Sequence, residues 1–393
     1  LIGRPECGKV GAGRGFGVRP PSAAFAASGR LTMKSALKGV AALLVSVAPA
    51  LAQDNVVNVY NWSDYIDPSV LQEFTEKTGI RVRYDVFDSN EILEAKLLAG
   101  SSGYDVVVPT AYFLSRQIGA GLIEPLDRAK LPNIGNLWDA ILERTAIYDP
   151  GAQYAIPYMW GTVGIGYNED EIRERMADAP TDSWAMIFDP DVISKFADCG
   201  VQLLDSPTDI LPAALNYLGK NPDSKEAHDL RAAADLVATI RPYVQKFHSS
   251  EYINALAGGD ICLAVGYSGD ILQARDRAEE AGNNVTVAYV VPKEGAQMWF
   301  DMMAVPVDAP NKDNAFAFLN FMMEPEVIAK STNFVNYANA NEASLPFIDE
   351  AVKDDPGVYP PAEAFSHLYV TTELPPNVQR IATREWTRVK TGQ

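Results

Sequence analysis

Residues 56–108 read VVNVYNWSDYIDPSVLQEFTEKTGIRVRYDVFDSNEILEAKLLAGSSGYDVVV, and the order of signals in them decides the fold class. Val56 to Tyr60 is a β-branched and aromatic run that predicts a strand. Asp67-Pro68 then supplies an N-cap and a proline at the first helical position, with Val70, Leu71 and Phe74 on one helical face and Gly79 as the stop. Ile80 to Phe87 alternates as a second strand. Ser89 or Asn90 caps a second helix, in which Leu93 and Leu97 lie one turn apart before Gly100. Val106 to Val108 is a short, wholly apolar strand of the kind buried on both faces. Strand alternating with helix specifies an α/β architecture with right-handed crossovers.

The alternation recurs downstream. Tyr158 to Tyr167 is extended and punctuated by glycine, and Glu169 to Met176 is a charged helix. Val201–Leu204, Ile261–Val265 and Val285–Val291 read as strands. Helices are expected near Ile210–Leu218, Glu226–Ile240, Phe316–Met323 and Glu326–Lys330. At this length two α/β lobes fit better than one.

The 393 residues carry 33 Lys plus Arg against 51 Asp plus Glu, a formal charge of −18, which argues against a nucleic-acid surface. Residues 1–32 show no periodicity, whereas Met33, the basic Lys34 and Lys38, the apolar run Val40–Ala48 and the small-x-small Ala50-Leu51-Ala52 form the three-part layout of a secretory signal peptide. The expectation is translation from Met33, with residues 1–32 a non-native upstream extension, and export to the periplasm with cleavage after Ala52. Such cleavage removes seven bases and one acid, leaving 26 bases against 50 acids over 341 residues. Cys7 goes with the leader, so Cys199 and Cys262 remain. An oxidising compartment favours one disulfide between them over two buried thiols. No His/Cys/Asp cluster has metal-ligand spacing, no complete G-x-G-x-x-G joins a strand to a helix, and no G-x-S-x-G elbow occurs in the mature part. No catalytic residue, metal or cofactor is assigned.

Ligands of open α/β sheets bind at strand ends. Here those ends carry aromatic residues beside acids: Tyr60-Asn61-Trp62-Ser63-Asp64-Tyr65, Tyr267-Ser268-Gly269-Asp270 and Met298-Trp299-Phe300-Asp301, with Asp209 after the Val201–Leu204 strand and Asn336-Tyr337-Ala338-Asn339 near the end. Any one of them is ordinary core plus N-cap. Together they suit an organic cation with an apolar spine, since rings cover methylenes and attract ammonium groups while carboxylates pair the charge.

Six long strings carry a family resemblance: YNWSDYIDP (60–68), YDVFDSNEILEAKLLAGSSGYDVVVPT (84–110), PYMWGTVGIGYN (157–168), FHSSEYINALAGGDICLAVGYSGD (247–270), PKEGAQMWFDMMAVP (292–306) and NYANAN (336–341). In these the chain resembles the periplasmic polyamine-binding proteins of ABC importers, most closely the putrescine-binding ones. The resemblance implies a two-lobe periplasmic-binding-protein fold (type II) with the ligand in the inter-lobe cleft. Lobe 1 would comprise 53–159 plus about 288–339, and lobe 2 160–287 plus about 340–393. The strand crossings would fall near Met159–Thr162 and around Val287–Pro292. Trp62 and Tyr337 would wall the alkyl chain, and Ser63 and Tyr65 would line one rim. Asp270 and Asp301 would hold one ammonium, Thr110 and Asp209 would lie towards the other end, and Tyr267 and Trp299 would complete the box. The Cys199–Cys262 pair fits the family.

Tyr267 stands where the family usually has Trp, Asp209 where it has Glu, and Thr110 where it has Ser. Trp299 and Tyr112 resemble the spermidine-binding branch and Asp270 the putrescine-binding one, so putrescine is favoured and spermidine stays open. The implied partners are the polyamine and the permease subunits in the inner membrane, with the protein itself a monomer. Two other readings are an exported enzyme using a carboxylate pair on a sugar, and a polyamine-sensing protein that signals rather than feeds an importer.

Overall fold

The computed structural model describes residues 55–392; the expected leader, cleavage junction and upstream extension lie outside them. Ten strands occur in chain order: β1 Val56–Trp62, β2 Arg81–Phe87, β3 Val106–Val107, β4 Ala155–Asn168, β5 Val201–Leu203, β6 Lys246–Phe247, β7 Leu263–Tyr267, β8 Val287–Val290, β9 Met298–Ala304 and β10 Ala338–Asn339. The opening units form as their caps dictate. The Asp67 carboxylate accepts from the Ser69 N–H, Pro68 begins the Pro68–Thr78 helix, and Gly79 ends it at φ 70°. Ser89 Oγ accepts from the Ile92 N–H at the head of the Asn90–Ala99 helix.

β1 pairs in parallel with β2 on one side and with β3 on the other. Its side chains serve both faces, as period-two geometry requires. Val57 and Val59 pack with Val70 and Phe74, while Tyr60 packs with Phe87, Leu93 and Leu97. Helices therefore cover the sheet on both faces.

The 14-residue β4 joins two half-sheets. Its first part, Ala155–Thr162, pairs antiparallel with β9. From Val163 onward it pairs with β7, and from Ile165 also with β8. β5 lies parallel to both β6 and β7 in the second half. The chain returns to the first half between β8 and β9, through residues 291–297. β10 pairs with Met159 and Trp160. The Pro325–Val335 helix packs on the 3-10 turn Glu342–Phe347, and the Pro376–Thr391 helix packs on Pro207–Tyr217 and Ala227–Ile240.

Nearly every residue of β4 is buried, and its glycines are where side chains lie flat against the strand. A Cβ at Gly161 would stand 2.7 Å from the Trp299 ring and 3.1 Å from Tyr337. Such distances leave no room for alanine.

Cys199 and Cys262 form a disulfide with Cα atoms 5.5 Å apart. They sit just before β5 and β7, whose register pairs Val201 with Leu263. The bridge thus fixes the entry ends of two neighbouring parallel strands and leaves their exit ends to the cleft. Closing a loop with a sequence separation of 63 restricts the unfolded chain by ~4 kcal/mol. The Cys199→Ser/Cys262→Ser double variant is expected to lose about that much in urea unfolding, with its denaturant midpoint lowered. An unchanged midpoint refutes the estimate.

Candidate functional site

The exit ends of the strands converge on one cavity of about 120 Å³. From the first half, β1 delivers Trp62 and leads into Ser63 and Tyr65, Thr110 stands at the N-cap of the Ala111–Gly119 helix, and β9 carries Trp299 and Asp301. From the second, Asp209 occupies the first turn of the Pro207–Tyr217 helix, β7 ends in Tyr267, and Asp270 begins the Ser268–Ala281 helix. Tyr337 enters beside β10. All ten residues singled out from the sequence therefore line this cavity.

The aromatic side chains meet mostly edge to face. Trp299 lies 5.3 Å from Tyr337 and 5.8 Å from Tyr267, and Tyr65 lies 5.2 Å from Tyr337. Trp62 is fixed by its indole N–H, which donates to the Val108 carbonyl at 2.9 Å, and it tilts against Phe87. A Cβ at Gly269 would sit 2.6 Å from the Tyr337 ring, so the first turn of the Ser268–Ala281 helix is a glycine surface for that ring.

Each central carboxylate is held by hydroxyl donors rather than by a cation. Asp301, 4% exposed, accepts from Thr110 Oγ1 at 2.7 Å, and Thr110 is clamped by Asn90, which donates Nδ2 to Thr110 Oγ1 and accepts from the Thr110 N–H. Burial pushes the Asp301 carboxyl up to about 7, opposed by Thr110 and the nearby Tyr65 phenol and reinforced by the field of Asp209. Tyr65 faces Asp301 closely enough to act on its charge, yet its hydroxyl finds no hydrogen bond of good geometry.

Asp209 accepts from the Tyr267 hydroxyl at 2.9 Å and from Gln297 Nε2 at 3.3 Å, and burial raises it to about 6. Asp270 accepts from the Tyr252 and Tyr337 hydroxyls, both at 2.7 Å, and burial raises it to about 6 as well. Asp209 and Asp270 each lie in a first helical turn, where the helix dipole favours their ionised form.

The structure ties Thr110 directly to Asp301 across an antiparallel bridge, and the field of Asp209 reaches Asp301. Asp270 answers to Tyr252, Tyr337, Asp64 and Arg277, and Tyr65 feels both Asp301 and Asp270.

Sequence reasoning missed several contributors. Tyr252, fully buried behind Asp270, also takes the Tyr267 N–H on its hydroxyl. Asn90 orients Thr110, and Thr208 and Glu91 join Tyr112, already marked by its resemblance to the spermidine-binding branch, in lining the cavity. Asp64, Asp88 and Asp205 bring the lining carboxylates to seven, and no Lys, Arg or His side chain lines the cavity. Among the described residues two of the seven are ion-paired with a cation, Asp64 with Arg277 at 3.7 Å and Asp205 with Lys390 at 2.8 Å. Among the described residues no three His, Cys, Asp or Glu side chains gather as a metal site.

Comparison with known proteins agrees in one direction. Residues 69–360 match the family described as bacterial extracellular solute-binding protein. The chain is 55% identical over 346 residues to the putrescine-binding periplasmic protein SpuD of Pseudomonas aeruginosa, covering 88% of this chain and 94% of that one. It is 48% identical over 361 residues to the putrescine-binding periplasmic protein PotF of Escherichia coli, covering 91% and 98%. Among solved structures, the spermidine/putrescine ABC transporter substrate-binding protein PotD of Streptococcus pneumoniae superposes with a TM-score of 0.71 at 31% identity, over 86% of this chain and 99% of that one.

The three raised carboxyls have a consequence for the ligand-free protein. An aspartate whose pKa in the folded state exceeds its ordinary 3.8 binds more protons folded than unfolded, so stability falls as pH rises between the two values. Calorimetry should find the ligand-free protein losing on the order of a few kcal/mol of stability between about pH 4 and pH 7. Asp301→Asn should remove the upper part of that slope. Stability that rises through this window would overturn the assignment.

Proposed function

The chain belongs to the bacterial extracellular solute-binding proteins, and we propose that it captures a polyamine in the periplasm by lobe closure and delivers it to an ABC importer. One observation carries the reading: a cavity walled by aromatic rings holds seven carboxylates and no basic side chain. Burying unpaired carboxylates costs several kcal/mol each, so such a site is completed by a ligand that brings the positive charge. Two separated carboxylate groups with rings between them suit a cation charged at both ends of an apolar spine.

In this reading Asp270 with Ser63 and Tyr337 receives one ammonium, and Asp301 with Thr110 and Asp209 receives the other. Trp62, Tyr65, Tyr267, Trp299 and Tyr337 enclose the methylenes. A four-carbon chain contributes ~3 kcal/mol by burial and a cation over a ring ~0.5–2 kcal/mol. Micromolar capture needs ~8 kcal/mol, so the charge pairs must supply the remainder. Putrescine is the favoured ligand, in keeping with the likeness to the putrescine-binding proteins of Pseudomonas aeruginosa and Escherichia coli.

The lobes divide at β4 near 159–162 and again between about 288 and 297. The contact of Glu342–Phe347 with the Pro325–Val335 helix supports a last division after 347 rather than at 340. The protein acts as a monomer and meets the permease subunits at the inner membrane. Sugar cleavage by a carboxylate pair requires one acid protonated and one ionised. Here burial raises all three central acids alike, which supports capture over cleavage.

Titration calorimetry with putrescine tests the site: Asp270→Asn and Asp301→Asn are each expected to weaken binding more than tenfold, about 1.4 kcal/mol or more. Near-unchanged affinity in both variants would defeat the assignment, and a wild-type protein indifferent to putrescine, cadaverine, spermidine and spermine would defeat the ligand class. N-terminal sequencing of the exported protein is expected to begin at Gln53; any other start displaces the cleavage site.

A further inference from the structure

The chain returns from the second half-sheet to the first through residues 291–297, and this segment ends at Gln297, next to the start of β9. Its backbone is held from several directions. The buried Trp184 indole donates to the Gly295 carbonyl at 2.9 Å, and the Trp184 N–H donates to the Glu294 carboxylate at 3.2 Å. The Gln297 carbonyl accepts at 3.0 Å from the N–H of Val163, the residue at which β4 takes up β7. A further run of chain lies alongside. Gln297 forms a parallel bridge with Tyr369, whose N–H donates to the Ala296 carbonyl at 3.0 Å and whose carbonyl accepts from the Met298 N–H at 2.8 Å.

That run also touches both halves. The Tyr148 hydroxyl, ahead of β4, donates to the Thr371 carbonyl at 2.7 Å. Thr372 donates its N–H and its hydroxyl to Asp223 in the second half, each at 2.7 Å. Gln297 therefore sits where β4, the returning segment and the run through Tyr369 are tied together.

The Gln297 side chain, 2% exposed, leads from this junction to the ligand site. Its Nε2 donates to Asp209 Oδ1 at 3.3 Å, across 88 positions of sequence. The other oxygen of that carboxylate, Oδ2, takes the Tyr267 hydroxyl at 2.9 Å. Tyr267 ends β7 and belongs to the second half, as Asp209 does. One oxygen is thus held by the half that carries it and the other by the junction. The Tyr369 phenol stands close enough to the same charge for the field of Asp209 to add to burial in pushing it up.

Packing does not account for an amide at position 297. Gln297 Oε1 accepts no hydrogen bond among the described residues, so the side chain carries a buried polar atom that an apolar one of equal length would spare. What the amide adds is the N–H on Asp209. With Tyr267 as sole anchor the carboxylate could turn about one contact, and ordering it would then be charged to ligand binding.

We propose that Gln297 is a positioning residue for ligand capture: from the junction of the halves it fixes the direction of the Asp209 carboxylate, so that the aim of this acid depends on how the halves meet. The inference rests on the polyamine reading of the cavity and adds to it a residue that does not line the cavity.

Gln297→Met keeps the length of the side chain and removes the N–H. Calorimetric titration of the full protein is expected to show putrescine binding weaker by about fivefold or more, as for a hydrogen bond lost from a charged group. The same substitution on an Asp209→Ala background should change affinity by less than about twofold, since the group it acts through is gone. Gln297→Asn leaves the amide one methylene short of Asp209 and should bind as weakly as Gln297→Met, which keeps the test open where the Met variant fails to fold. Equal losses with and without the Asp209 carboxylate would overturn the proposal. So would a lower ligand-free melting temperature with affinity intact, the pattern of a packing role. A wild-type protein indifferent to putrescine and its longer relatives defeats the polyamine reading itself. One that binds putrescine while both variants match it defeats only the role of Gln297.

Discussion

A carboxylate taken out of water needs either a proton or a positive partner, and the centre of this molecule is arranged so that the chain provides neither in full. Asp209, Asp270 and Asp301 receive hydroxyl and amide donors from Tyr267, Gln297, Tyr252, Tyr337 and Thr110, and among the described residues none of them is ion-paired with Lys or Arg, Asp270 feeling Arg277 only through its field. Hydroxyl donors orient a carboxylate and partly offset its desolvation without cancelling its charge. The remaining field is directed into the cavity. Had an arginine been placed beside Asp301, the site would be more stable empty and useless for a cation.

The fold makes that arrangement possible because parallel strands and their following helices converge at one edge. β1, β5 and β7 all release their chains towards the cleft, and the helices after β5 and β7 begin there with Asp209 and Asp270 in their first turns, where the backbone dipole lowers the cost of their charge. β4 then links the two half-sheets as one continuous strand, exchanging β9 for β7 between Thr162 and Val163. Trp299 and Tyr337 rest against Gly161 and Gly269. The rings that cover a ligand are therefore seated on backbone near the point where the halves join, so ring packing and lobe geometry are mechanically linked.

Much of this was legible in the residues because it is local. Asp67-Pro68 and Gly79 marked both ends of a helix, Ser89 the start of the next, and alternation the strands between them. The ten site residues were legible from strand-end chemistry joined to the resemblance of long strings. What escaped was non-local. Nothing near Asp270 in sequence signals that Tyr252 lies behind it, since the contact crosses two helices separated by a strand. Thr110 pairs with Asp301 across 191 positions, a contact that no local pattern signals. The Ser268–Ala281 helix was not anticipated either: its run of charged residues masks an apolar face of Ile271, Leu272, Ala274 and Ala278.

The same constraint ties together two of the positions at which the sequence departs from the pattern it resembles. Asp209 is shorter than the usual Glu by one methylene, and Tyr267 differs from the usual Trp in carrying a hydroxyl. That hydroxyl meets the Asp209 carboxylate at 2.9 Å. Replacing Tyr267 alone takes the shorter of the two donors from the buried Asp209 and leaves it Gln297 Nε2 at 3.3 Å, and a donor lost from a buried acceptor costs ~1–3 kcal/mol. Specificity in such a site is carried by pairs of residues, because a buried acid cannot be shortened, lengthened or moved without its donor moving too.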